Sequence, residues 1–186
     1  MRIVGGMWRG RALTAPSGQA TRPTADRVRQ ALFDMLLHAP WGGSQVLDGA
    51  RVLDAFAGTG ALGLESLSRG AAFATFVEQD RAALAALRRN IAACRAEERT
   101  KVVAADVLAV ARGEPCGMVF LDPPYGRNLV PLAVERLRAM GWLAPKALVV
   151  AETGRDEPLP ELGDPLAERM HAAARITIFK AFSARR

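Results

Sequence analysis

Between Arg51 and Ala151 the chain repeats one pattern, a short apolar run followed by a longer segment with apolar residues at helical spacing. The runs 52–56, 73–77, 102–105, 118–121 and 147–151 are short, apolar and bounded by breakers, and read as strands. Between them, 61–69, 81–94 and 130–140 read as helices. Strands joined through helices lie parallel, because a crossover of that length returns the chain to the same end of the sheet. Two last runs, 169–174 and 175–182, follow each other directly and so pair antiparallel. The expected fold is a mixed α/β sheet with helices on both faces, parallel except at its last strand pair.

Residues 1–43 precede this pattern. Arg2-Ile3-Val4 and Arg11-Ala12-Leu13, separated by a Gly-rich piece around Trp8 and Gly10, read as a small hairpin. After a loop at Pro16-Ser17-Gly18, Arg22-Pro23-Thr24 opens a helix with Thr24 as its N-cap. Val28, Ala31, Leu32, Met35 and Leu36 form its buried stripe, which leaves Arg27, Arg29 and Gln30 largely on other faces. The 186 residues suit a single domain, with 1–43 an appendage and 44–186 the core. Charge singles the appendage out. The net charge is +6, and residues 1–29 hold Arg2, Arg9, Arg11, Arg22, Arg27 and Arg29 against Asp26 alone. A general taste for arginine codons would raise Arg everywhere without removing acids from one stretch. The segment therefore reads as a nucleic-acid footprint. Trp8, between two arginines, suits stacking beside phosphates and equally suits covering the core.

Other classes fit poorly. A chain that is 50% hydrophobic and 24% charged is globular rather than disordered. No apolar run approaches the ~20 residues of a membrane span, and the N-terminus lacks the apolar stretch of a secretory signal. Cys94 and Cys116 fall in different elements and His38 and His171 lie far apart, so neither a disulfide framework nor a metal site is expected. The expected location is the cytoplasm, with no membrane partner.

The chemistry gathers where strands end. The run 117–121 stops at Asp122-Pro123-Pro124-Tyr125, an acid, two prolines and an aromatic. Prolines end the ladder and leave carbonyls as acceptors. Asp122 and the Pro123 carbonyl suit the two hydrogens of an exocyclic amine, and Tyr125 the face of its base. Asp54, Glu78, Asp106 and Asp122 end successive strands, on the rim where open α/β sheets bind ligands. Four acids there would repel one another unless a ligand bearing positive charge and a sugar relieved them. After Asp54 come Phe56, Ala57 and the glycines Gly58, Gly60 and Gly63, whose turn brings backbone and a helix N-terminus close to a ligand. Glu78 then suits ribose hydroxyls and Asp106 an adenine amine. The glycine spacing also fits a dinucleotide, as in an NAD-dependent oxidoreductase. Asp54 faces a pyrophosphate badly and suits the ammonium of S-adenosylmethionine, and the amine site shares its rim.

These stretches resemble a known family. Arg2-Ile3-Val4-Gly5-Gly6, Trp8-Arg9-Gly10-Arg11, Arg22 through Arg29, Asp54 through Gly63 and Asp122 through Tyr125 are similar to those of bacterial RsmD-type 16S ribosomal RNA guanine-N2 methyltransferases. The opening hairpin and the Arg-Pro-Thr-x-Asp-Arg-Val-Arg piece are its specific parts. The resemblance implies a Rossmann-like, seven-stranded class I methyltransferase sheet, S-adenosylmethionine as cofactor and one guanine of small-subunit rRNA as target. It implies that Thr24 and Arg27 lie near the methionine end of the cofactor and the RNA, and that the partner is the small ribosomal subunit or a precursor of it, met by a monomer. A DNA adenine-N6 methyltransferase shares the Asp-Pro-Pro-Tyr stretch but usually adds a target-recognition region. A non-catalytic RNA-binding domain would need no rim of acids.

Overall fold

The computed structural model describes residues 1–16 and 23–181, and side chains in the second stretch from residue 26 onward. Arg22 and most of the expected 16–18 loop lie outside the described residues, as does the side chain of Thr24. Seven strands form one sheet: β1 (Arg51–Asp54), β2 (Phe73–Glu78), β3 (Thr100–Ala104), β4 (Cys116–Leu121), β5 (Leu143–Gly154), β6 (Pro165–His171) and β7 (Ala174–Lys180). Their order is β3-β2-β1-β4-β5-β7-β6. β1 to β5 pair in parallel, and β7 lies antiparallel between β5 and β6. The chain moves outward from β1 to β3 and then returns to lay β4 on the other side of β1. That reversal makes the carboxyl ends of β1 and β4 the place for a ligand.

Four helices cover the sheet: α1 (Pro23–His38), α2 (Ala61–Ser68), α3 (Arg81–Cys94) and α4 (Leu129–Ala139). Strand residues alternate between two cores. Val52, Met118 and Phe120 pack under α1, α2 and α3, while Leu53, Val119 and Leu121 pack under α4.

The N-terminal segment differs from its expected form. The hairpin closes through one antiparallel bridge, Arg2 with Ala12, and the backbone bonds Ile3 N–H to Arg11, Gly10 N–H to Ile3 and Leu13 N–H to Met1. Helix α1 begins at Pro23, which places Thr24 in its first turn, and the expected capping by the Thr24 side chain lies outside the described residues. Its buried stripe is Arg29, Leu32, Phe33 and Leu36, while Ala31 is exposed. Ile3, Leu13, Phe33 and Leu36 are buried in the same cluster as Val52 and Phe120. Among the described residues the hairpin and α1 thus pack onto the core, where they cover apolar surface on the α2 side of the sheet.

Candidate active site

The rim at the carboxyl ends of β1, β2 and β4 opens into a cleft of about 1100 Å³. Asp54, Phe56, Ala57, Gly58, Glu78 and all of Asp122 to Tyr125 line it. Asp54 ends β1 at 2% exposure, and its Oδ2 accepts the Gly63 N–H at 3.0 Å. Burial pushes its carboxyl up to about 7, moderated by that N–H and reinforced by Glu78. Gly58 has φ 53° and faces open space where a Cβ would stand, so it leaves room in the cleft. Gly60 and Gly63 do not line it. A Cβ on Gly63 would come 2.3 Å from the buried Phe76 ring, and one on Gly60 2.4 Å from Leu87. Those two glycines let α2 and α3 pack closely on the sheet.

Glu78 organises the loop it faces. Its Oε2 accepts the Gly58 N–H at 2.7 Å, and its Oε1 accepts those of Gln79 and Asp80, each at 2.8 Å. Asp106 is less enclosed than its strand-end position suggested. It is exposed and caps the turn after β3 through Leu108 N–H at 2.9 Å, while its neighbours Ala105 and Val107 form the cleft wall.

Across the cleft, Asp122 follows the last residue of β4. Pro123 is buried, while Asp122, Pro124 and Tyr125 are exposed to the cleft mouth. Desolvation against the cleft walls raises the Asp122 carboxyl, and Glu152 and Asp54 raise it further. The Tyr125 hydroxyl donates to Glu152 Oε1, and its own proton is held more tightly than usual by desolvation and by that bond. Glu157 fixes the following loop. Its Oε1 accepts the N–H groups of Gly126, Arg127 and Asn128 at 2.9, 3.1 and 3.0 Å, and its Oε2 that of Gly154 at 2.6 Å. These bonds, Gly154's first, hold its carboxyl below the ordinary range. No local pattern marks Glu152 or Glu157, since Glu152 holds Tyr125 and Glu157 holds residues 126–128, about thirty positions earlier. His171 at the β6–β7 turn and Met1, Pro16 and Arg29 complete the walls.

The expected RNA contacts separate into groups. Arg9 and Arg27 are exposed, and so is Arg2, which stands 3.8 Å from Asp26. Arg11 is exposed and donates to the Ala93 carbonyl near the end of α3. Trp8 is half-buried against the core with the Arg99 guanidinium 5.9 Å over its ring. Its N–H bonds Ser68 at the end of α2 away from the cleft, so packing is the role the structure shows. Arg29 is not a free cation. It is 6% exposed, bonds Asp26 at 2.9 Å and the Arg2 carbonyl, and stands 3.6 Å from the fully buried Glu65. Its place on the Leu32-Phe33-Leu36 stripe dictates this, because a charge on a buried face must be paired.

A family model described as Conserved hypothetical protein 95 matches residues 1–180. The chain belongs to this family. Among similar curated proteins, the Ribosomal RNA small subunit methyltransferase D of Escherichia coli (strain K12) is 44% identical over 162 residues, 86% of this chain and 78% of that protein. Its namesake from Haemophilus influenzae is 38% identical over 164 residues, covering 86% and 81%. The solved structure of the Escherichia coli protein yhhF superposes with a TM-score of 0.84 over 98% of both chains, at 37% identity. The Conserved hypothetical protein 95 match spans the hairpin, α1, the glycine loop and Asp122 to Tyr125.

Proposed function

We propose that this protein transfers a methyl group from S-adenosylmethionine to the exocyclic N2 amine of one guanine in 16S ribosomal RNA, acting as a cytoplasmic monomer on the small subunit or a precursor of it. The observation that carries this reading is a single cleft that holds the Asp122-Pro123-Pro124-Tyr125 corner opposite the Asp54, Gly58 and Glu78 wall, in a chain 44% identical to a ribosomal RNA small subunit methyltransferase D. The donor set fits the cofactor. Among the described residues no basic side chain pairs with Asp54, Glu78 or Asp122, so the wall favours a ligand that brings positive charge and hydroxyl donors. Asp54 would face the ammonium, Glu78 the ribose, and Ala105 to Val107 the adenine. When bound, S-adenosylmethionine supplies a methyl group on an electrophilic sulfonium.

The remaining work belongs to this chain. The target base leaves its stack and lies on the Tyr125 ring. The N2 lone pair of guanine is delocalised into the ring and is a poor nucleophile. Hydrogen bonds from both N2 hydrogens, one to Asp122 and one to the Pro123 carbonyl, favour a pyramidal nitrogen with its lone pair aimed across the cleft. Positioning then supplies most of the acceleration. Asp122, raised towards neutrality, suits the late acceptance of the amine proton.

The test is transfer of labelled methyl to small subunits from cells lacking the gene, with duplex DNA as the competing substrate. Label should enter rRNA as N2-methylguanosine by mass spectrometry, and Asp122→Ala should lose most turnover while binding the cofactor as before. Label in DNA alone would overturn the substrate. An Asp122→Ala enzyme with unchanged turnover would remove that residue from the mechanism.

A further inference from the structure

A second carboxylate stands beside Asp122. Leu121 of β4 pairs with Ala151 of β5, so Asp122, just past the end of β4, and Glu152, still within β5, stand at the same level on adjacent parallel strands. Both line the cleft. Among the described residues neither forms a salt bridge, and Tyr125 gives Glu152 a single hydroxyl proton on Oε1. Two neighbouring acids with no cation between them repel, and a neutral ligand offering donors on adjacent atoms would relieve both.

The amine-bearing bases differ in this respect. Guanine presents N1–H and the N2 amine side by side, donors at adjacent positions. The amines of adenine and cytosine are each flanked by a bare ring nitrogen, an acceptor that would meet a Glu152 oxygen lone pair to lone pair. With the amine held by Asp122 and the Pro123 carbonyl, a guanine turned with its N1 edge towards β5 would offer Glu152 a donor, whereas the opposite turn would offer the bare N3. The Tyr125 bond takes one Glu152 oxygen and leaves the other for the base. We infer that Glu152 accepts the N1–H of the target guanine and is the residue that selects guanine among amine-bearing bases. This rests on the reading of Asp122 and Pro123 as holders of the amine.

The experiment compares two substrates, small subunits reconstituted with either guanine or 2-aminopurine at the nucleotide that the labelled methyl marks. 2-Aminopurine keeps the amine and lacks the N1 proton. Wild-type enzyme should methylate guanine about 10- to 100-fold faster, the worth of one hydrogen bond to a charged group. Glu152→Ala should lower the guanine rate by that factor more than the 2-aminopurine rate, bringing the ratio near one. Glu152→Gln, whose amide can accept from N1–H or donate to a bare N1, should fall between. An unchanged ratio in both variants overturns the inference. So does an equal loss on both substrates, which would mark Glu152 as a support for the Tyr125 ring and not as the reader of N1. Failure of the wild-type enzyme to methylate either substrate would instead sink the reading of the cleft as a guanine amine site.

Discussion

Arg29 separates two accounts of the basic N-terminal segment, so its replacement is the sharpest test of the structure. Arg29→Met keeps length and apolar contact but removes the charge that bonds Asp26 at 2.9 Å and stands 3.6 Å from Glu65. The Arg29 and Glu65 side chains are 5% and 0% exposed. Removing one partner of a buried ion pair costs about 3–5 kcal/mol, because the other charge stays buried. Here Glu65 keeps Arg69 at 2.7 Å and the Val4 N–H at 2.8 Å, which argues for the lower end, about 3 kcal/mol. For a domain of this size each kcal/mol moves Tm by about 2–4 °C, so the melt should fall by roughly 6–12 °C. Circular dichroism melts at low and high salt read this directly, and the loss should persist in high salt because the pair is shielded from ions. Arg27→Ala, exposed on the same helix, should hold Tm and weaken binding to small-subunit rRNA. An Arg29→Met protein that melts within about 2 °C of the parent while binding rRNA weakly would refute the structural role.

Gly63→Ala should destabilise the fold, since overpacking against the Phe76 ring costs about 1–3 kcal/mol and better helix propensity returns at most about 1 kcal/mol. Calorimetry should show the lower Tm, and an equal or higher one would mean that Phe76 gives way. Asp54 supplies a pH dependence. Its carboxyl is raised on folding, so its stabilisation is complete below the unfolded value near 4 and is lost as pH rises through about 7. In cofactor-free protein, urea midpoints should fall between those pH values more steeply in the parent than in Asp54→Asn, which keeps an oxygen for the Gly63 N–H. Parallel curves would remove the effect.

The elements legible in sequence were those whose signals are local. Helix α3 runs from Arg81 to Cys94 as its pattern indicates, because Asp80 caps one end through Ala83 and Arg95 ends the other in the left-handed region. β5 and β6 were read too short or out of place for the opposite reason. Glu152, Thr153 and Gly154 look like the end of a strand, yet they continue it because β7 pairs Glu152 with Ile176 and Gly154 with Ala174. β6 is an edge strand, where exposed polar residues such as Glu168 and Arg169 are admitted and apolar patterning is weak. In the cleft, the acids at strand ends could be read because burial on both sheet faces makes a strand-terminal acid conspicuous. Glu152 and Glu157 could not, since their partners depend on the register between β4 and β5. The stripe Val28-Ala31-Leu32-Met35-Leu36 puts Arg29 on another face, but the helix is turned so that Arg29 lies inside with Leu32, Phe33 and Leu36 while Ala31 is exposed, a rotation that apolar spacing alone does not reveal.

The packing of that face also explains how a basic segment and a distant acid rim can act together. Phe33 of α1 lies 5.8 Å from Phe120, two residues before Asp122, at an interplanar angle of 41°. The Arg69 guanidinium stands 5.0 Å over the same Phe33 ring and bonds Glu65, which accepts the Val4 N–H. One contiguous set of buried contacts thus joins the hairpin, α1, the helix after the glycine loop and the strand that ends in Asp122. On the proposed function, a phosphate gripped by exposed Arg2, Arg9 or Arg27 would be held at a fixed offset from the cleft. On the same proposal, shape selection of the rRNA would follow from rigidity: only a nucleotide at that offset from the gripped backbone would reach Tyr125 on leaving its stack.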